Sequence, residues 1–448
     1  MRCRTGSPTA TPPGDDVATD PLAPPHLDLV QTTLDNGLTV VVHQDTGSPL
    51  AAVNLWYGVG SRDEEAGRTG FAHLFEHLMF QGSQNVAPNE HFLLLERVGA
   101  SLNATTSLDR TNYFETVPVE HLDLALWLEA DRMGSLDVSQ ENLDTQREVV
   151  KEEKRQRYDN TPAGTLWPDM LHGLFDPSHP YGHAPIGSME HLDAADLDDV
   201  VAFHRRWYGP DNAVLTVVSP LSVDDVLGRV RRYFGGIDPL GEVPPRPTGT
   251  LDPLPLPAAV HRSVPDRVTT PVVALGWRIP AYGHPDHDAA QVALAVLGYG
   301  RGSRLSRALA VDRKLVSPSA RMVSGTDFVT GSALALSRFE CRDGVGADEV
   351  TASTLAVVEA LADDPPDADE VARARALFAV DWLDTIGSPS SRADEVSRIT
   401  QLTGSAENVN TELDGALAVT PDDVARVAGQ LLRADSAVVL TYVPEEAA

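Results

Sequence analysis

The octapeptide AHLFEHLM, residues 72–79, returns later in the chain as AQVALAVL, residues 290–297. In the first copy Phe71, Leu74, Phe75 and Leu78 recur at the interval that places side chains on one helix face. Two more pairs keep nearly the same offset. LDDVVAF (197–203) lies over PDDVARV (421–427), and AVLTVV (213–218) lies over VVLTYV (438–443). A nearly constant offset with small insertions indicates two copies of one fold in a single chain. His73 then falls on Gln291, Glu76 on Leu294 and His77 on Ala295. The fold does not need His, Glu and His at these positions, so the trio asks for another explanation.

The surrounding elements read outward from that helix. LVQTTLDNGLTVVVHQD sets Asn36-Gly37 between two alternating runs, a hairpin signal. Residues 50–60 read as a third strand, 101–117 alternate as a strand, and 213–219 form another. VEHLDLALWLEADRMGSL and QENLDTQREVVKEEKRQRYDN read as two amphipathic helices, with a further helix over 192–207. GGIDPLGEVPPRPTGTLDPLPLPAAV is rich in proline and glycine and reads as a linker. After it the strand (272–283) and helix (288–300) pattern restarts. The expected class is α+β: two homologous domains, each a mostly antiparallel sheet packed with helices. Expected limits are a tail over 1–26, a first domain over 27–235, a linker over 236–265 and a second domain over 266–448.

Bulk properties bound the function. A chain of 448 residues with 42% hydrophobic content has ample material for large cores. A net charge of −30 argues against nucleic acid or anionic membrane as partners. The longest apolar runs are too short to span a bilayer. Cys3 and Cys341 imply no disulfide framework, and a reducing, cytoplasmic location is the expectation.

Residues i and i+4 of a helix point the same way, so His73 and His77 can present imidazole nitrogens to one point. Two imidazoles, a carboxylate and one open position suit Zn²⁺. Glu76, three positions after His73, lies on the same side and reaches the open position without being a ligand; the arrangement is H-x-x-E-H. The third ligand should be a carboxylate on a neighbouring helix, where QREVVKEEKRQR offers Glu148, Glu152 and Glu153. At about 100° per residue, Leu143, Val149 and Val150 define an apolar face centred about 75° from Val149. Glu153, at about 40°, falls inside that face, whereas Glu152 and Glu148, at about −60° and −100°, turn to solvent. A carboxylate directed inward calls for a cation.

At this point the chain resembles the pitrilysin/insulinase family of zinc metallopeptidases, which includes the mitochondrial processing peptidase. The pattern of that family, H-x-x-E-H followed by a ligand Glu in a motif like [EQ]-R-x-V-V-x-x-E, is met by HLFEH and QREVVKEE, with Glu153 at the family's spacing from His77. NATTSLDRTNYFE (103–115), HPYGHAPIGSMEHL (179–192), FHRRWYGPDNAVLTVV (203–218) and GRGSRL (300–305) are similar to later landmarks. The resemblance covers the chain from about residue 28 and implies two domains facing each other like a clamshell. It implies zinc on His73, His77 and Glu153, with Glu76 as general base. It also implies an extended substrate paired with the strand at Asn103, Ala104 and Thr105. In active members a second-repeat Arg and Tyr complete the site, spaced L-R-x-x-x-x-L-x-Y. Here LAVDRKLVS (309–317) places Ala310 and Ser317 at those positions. The resemblance therefore implies a zinc-dependent endopeptidase acting as the metal-bearing subunit of a heterodimer, its homologous partner supplying the Arg/Tyr pair, or a homodimer. The alternative is a weakly active or non-catalytic peptide-binding subunit.

Other clusters read as ordinary structure. His172, His179, His183 and His191 lie in a proline-containing, loop-like stretch without regular ligand spacing. GYGRGSRL lacks the Lys-Ser/Thr ending of a phosphate loop and follows a helix. Asp363, Asp364, Asp367 and Asp369 read as a solvated turn before a helix.

Overall fold

LAAVNLWY, residues 50–57, is apolar at almost every position, as a strand covered on both faces must be. In the computed structural model, which describes residues 25–243, 254–318, 321–324, 331 and 333–445, all but its first residue are buried. The first half runs β1 (Leu29–Thr33), β2 (Thr39–Gln44), β3 (Leu50–Tyr57), α1 (Phe71–Leu78), α2 (Glu90–Arg97), β4 (Ser101–Thr106) and β5 (Thr111–Pro118). It continues with α3 (Leu122–Ser135), α4 (Gln140–Lys154), α5 (Leu166–Leu174), α6 (Met189–Ala194), α7 (Leu197–Trp207), β6 (Ala213–Ser219) and α8 (Val223–Phe234). The second half runs β7 (Val260–Asp266), β8 (Val272–Ile279), α9 (His287–Gly298), β9 (Arg321–Ser324), β10 (Ala333–Glu340) and α10 (Ala347–Asp363). It ends with α11 (Ala368–Gly387), α12 (Pro389–Thr403), α13 (Asp414–Ala418), α14 (Pro421–Leu431) and β11 (Val438–Pro444).

The repeat is visible in the sheets. The first has the order β1-β2-β6-β3-β5-β4 and the second β7-β11-β8-β10-β9. In each, one parallel pair (β2 with β6, β7 with β11) is followed by antiparallel neighbours. The first sheet adds β1 through the Asn36-Gly37 hairpin, where Leu29 faces His43 and Gly37 takes φ 90°. Asn36 Nδ2 also donates to the carbonyls of Phe234 and Ile237, tying the turn to the end of α8.

Four readings of the sequence differ from the structure. Residues 101–117 are not one strand but the hairpin β4–β5, because Ser107 to Arg110 turn the chain, with Ser107 N–H donating to the Arg110 carbonyl at 2.8 Å. The 192–207 helix is two, α6 and α7, because Asp196 caps a new start by accepting from the Asp199 N–H. The linker does not reach 265: β7 begins at Val260 and pairs with β11. Its exposed edge residues hide it, since only a half-buried strand shows alternation. Residues 244–253 of that linker, residues 1–24 of the tail and Cys3 lie outside the described residues. Finally Val149, taken above as apolar-face zero, is 43% exposed; Leu143, Gln146 and Val150 are the buried residues of α4.

The halves exchange helices. α5 lies on β8 and β11 of the second sheet, and α12 lies on β3 and β6 of the first, which are the equivalent strands. At the α5 crossing a Cβ on Gly173 would stand 2.6 Å from Val438 Cγ1. Over the first sheet, Trp382, Ile386, Val396 and Ile399 share one core with Val41, Trp56 and Val214. The segment joining α4 to α5 is also tied to β7: Asp266 Oδ2 accepts from the Ala163 N–H at 2.8 Å, and Arg267 donates to the Asp159 carbonyl at 2.6 Å.

Candidate metal centre

α1 is short and starts without a side-chain cap of its own at Gly70, whose φ is 97°. Glu64 supplies the cap from outside, accepting from the N–H groups of Gly70 and Ala72 at 2.9 and 2.8 Å. Burial pushes the Glu64 carboxyl up, and His183 opposes that from 2.8 Å. Gly187, at φ 67°, crosses so close to Gly70 that a Cβ would stand 2.3 Å from the Gly70 Cα. The contact brings Pro185 and Ile186 beside the helix. Phe71, Leu74, Phe75 and Leu78 face the core, and Phe75 packs on Tyr208 with ring centroids 4.4 Å apart. The opposite face carries His73, Glu76 and His77.

α4 lies against α1 and brings up the third residue. Ser139 caps α4 by accepting from the Asn142 N–H at 3.1 Å. Glu153 Oε2 is 3.7 Å from His73 Nε2 and 3.4 Å from His77 Nε2. One ligand atom from each of the three lies within 4.8 Å of the others. Glu148 and Glu152 are more than half exposed and form ion pairs with Lys151 and Arg155. Immediately after α4 the helix widens into a π-turn over Arg155–Asp159. Such turns commonly mark sites, and here Arg157 Nη1 lies 2.7 Å from Glu153 Oε1.

The donor set fits zinc. Two ligands held tetrahedrally at about 2.0–2.1 Å stand about 3.3 Å apart, close to the observed separations. Burial, with His77 beside it, lowers the His73 pKa to about 4, so its lone pair is available at neutral pH. His73 Nδ1 is buried without a hydrogen-bond partner among the described residues, leaving Nε2 as the ring's point of contact. The hydrogen bond with His77 holds the Glu153 carboxyl below its ordinary range, with His73 and Arg157 acting in the same direction. Glu76 stands apart from the set. Burial pushes its carboxyl up, against the hydrogen bond that Thr106 Oγ1 donates to Oε2 at 2.6 Å.

The cleft in front of these residues has a volume of about 570 Å³. One wall is β4, the edge strand of its sheet, which contributes Asn103, Ala104, Thr105 and Thr106. Tyr158, Trp167, Pro185 and Ile186 line the rest. Ala310 and Ser317 are not among its lining residues. Thr106 and Arg157 escaped the sequence reading: Thr106 follows Thr105 by one position, and Arg157 follows Glu153 by one helical turn.

A second group, His91, Glu115 and Glu129, is wholly buried between α2, β5 and α3. Arg132 already supplies its positive charge, with Nε 3.0 Å from Glu129 Oε2 and Nη2 3.6 Å from Glu115 Oε1. Burial raises Glu115 well above the carboxylate range, while at Glu129 burial is outweighed by Arg132, Glu115 and His91 together, and the carboxyl is lowered. It is a neutral structural network. Of the four histidines read as lying in a loop-like stretch, His172 is in α5 and His191 in α6; His183 holds Glu64, His191 Nδ1 is 2.8 Å from Thr69 Oγ1, and His179 stacks on Phe175.

Comparison with known proteins gives the same family for both halves. Residues 39–179 match the family described as Insulinase (Peptidase family M16), and residues 194–378 match Peptidase M16 inactive domain. The chain is 35% identical over 294 residues to Zinc protease PqqE of Helicobacter pylori, covering 64% of each chain. It is 34% identical over 288 residues to Uncharacterized zinc protease ML0855 of Mycobacterium leprae, covering 64% of this chain and 63% of that one. The match thus spans a little under two thirds of the length of these curated relatives. The crystal structure of a protease from Helicobacter pylori superposes with a TM-score of 0.87 at 27% identity, over 94% of this chain and 100% of that one. Matched by both domain models in succession, the chain belongs to the insulinase family, peptidase family M16.

Proposed function

We propose that the chain is a zinc-dependent endopeptidase that hydrolyses peptides or unfolded polypeptide segments, with His73, His77 and Glu153 as ligands. The observation that carries this reading is the meeting of two imidazole Nε2 atoms on one oxygen of Glu153, beside a separate, partly buried Glu76. When bound, zinc supplies Lewis-acid polarisation and makes water a nucleophile at neutral pH. The chain's own residues do the rest. Neutral His73 offers a lone pair, and Glu153 offers Oε2 while Arg157 holds Oε1. Glu76, fixed at Oε2 by Thr106, takes the proton of the attacking water at Oε1 and passes it to the leaving amine. β4 presents an open edge beside this carboxylate, so an extended chain adds to the sheet as a further strand. A cleft of about 570 Å³ supports an extended segment as the substrate rather than a folded domain.

With Ala310 and Ser317 away from the cleft, stabilisation of the developing oxyanion falls to a homologous partner subunit carrying an Arg/Tyr pair, or to a second copy of the chain. The same observation supports a second reading, a peptide-binding or assembly subunit with little activity of its own.

Metal analysis with peptide cleavage, with and without a candidate partner, separates these readings. Glu76→Gln is expected to keep stoichiometric zinc and lower kcat by about 10²–10⁴-fold. Retained activity refutes the role given to Glu76. A purified wild-type chain without zinc sinks the metal assignment, and zinc without cleavage in the presence of the partner favours the binding subunit.

A further inference from the structure

A carboxylate from the second half reaches the cleft residues of the first through hydrogen bonds. Asp394 lies on α12, the helix laid across the first sheet, and is partly buried there. Its Oδ1 accepts from Asn54 Nδ2 on β3 at 2.9 Å and from Asn112 Nδ2 on β5 at 2.7 Å. An ionised carboxylate only accepts, so Asn112 must turn its NH₂ toward Asp394 and its Oδ1 toward β4. There Oδ1 accepts from Thr105 Oγ1 at 2.6 Å and from Arg110 Nη1 at 3.1 Å. Arg110 Nη1 also donates to the Thr105 carbonyl at 2.9 Å, and its guanidinium lies 5.0 Å above the Trp56 ring. The next residue, Thr106, holds Glu76. Charge alternates along the path: Asp394, Arg110, Glu76.

We propose that Asp394 is a positioning residue for the substrate strand: with Arg110 it fixes the orientation of the Asn112 amide, and through it the backbone of β4 at Thr105 and Thr106. The inference rests on the reading of β4 as the edge to which substrate adds. It assigns the second half a part in the reaction that needs no metal ligand there. An asparagine at 394 has the same shape but can donate as well as accept, so one of the two groups that orient the Asn112 amide is lost and only Arg110 remains.

The test compares wild type with Asp394→Asn, using hydrogen exchange of the full chain and kinetics on a short and a long quenched fluorogenic peptide, the long one able to span β4. Exchange over 101–112 is expected to speed up about tenfold, with zinc content and Tm retained. KM for the long peptide is expected to rise about tenfold while kcat for the short peptide stays within about twofold. Wild-type protection over 101–112 overturns the proposal, as does an equal loss with both peptides, which marks a general structural role. If Asp394→Asn does not fold, Asn112→Ala removes the same link and is held to the same outcomes. Kinetics are read with the candidate partner present; a wild-type chain that cleaves neither peptide even then counts against the peptidase reading alone, and the exchange result still decides on Asp394.

Discussion

Arg157 shows how one side chain sets the chemistry of another. Its guanidinium takes one oxygen of Glu153 and leaves the other to the two histidines. A carboxylate divided in this way binds a metal through a single oxygen, which preserves an open coordination position. The side chain itself is 71% exposed, so the value of the pair lies in orientation and not in stability. Arg157→Ala is expected to weaken zinc binding about tenfold or more, measured by competition with a chromogenic chelator, with Arg157→Lys falling between. Equal affinities would remove Arg157 from the account. At this scale the sequence was legible where spacing alone decides. His73, His77 and Glu76 follow from the helical repeat, and Glu153 was the inward carboxylate even though Val149, which helped define the face, is exposed. Arg157 escaped although it follows Glu153 by one helical turn, because spacing marks a neighbour and not which oxygen that neighbour takes.

Among the elements, α5, which crosses between halves, leaves little room at its contact with the second sheet. Gly173 in α5 faces Val438 of β11, whose branched side chain has little freedom to move aside. Gly173→Ala gains up to about 1 kcal/mol of helix propensity. Overpacking at a 2.6 Å approach costs about 1–3 kcal/mol, so a net loss is expected. Gly228 in α8 has no heavy atom within 4 Å of the place a Cβ would take, and Gly228→Ala is expected to stabilise by about 0.5–1 kcal/mol. Chemical denaturation of the two variants checks the opposite signs. Neither α5 nor α12 was read from the sequence, and hydrophobic patterning is blind to which sheet a helix covers. For the same reason the β4–β5 hairpin read as one strand: alternation continues through Ser107 to Arg110, while the reversal rests on local hydrogen bonds.

For the whole molecule, the internal repeat was plain in the sequence, and the two sheets bear out the α+β class. What the repeat cannot convey is that α5 and α12 have changed places, since an exchanged helix has the same sequence as one that stays at home. The exchange joins both sheets into shared cores, so the chain is expected to unfold in one cooperative calorimetric transition despite its two homologous halves. Two resolved transitions would contradict the shared cores. A duplicated unit that merely stands beside its original can be lost again without harm. Once the copies have traded helices, neither can be deleted, although each remains free to drift wherever it does not touch the other. Gln291, Leu294 and Ala295 record that freedom, and the pairing of Asp394 with Asn112 marks its limit.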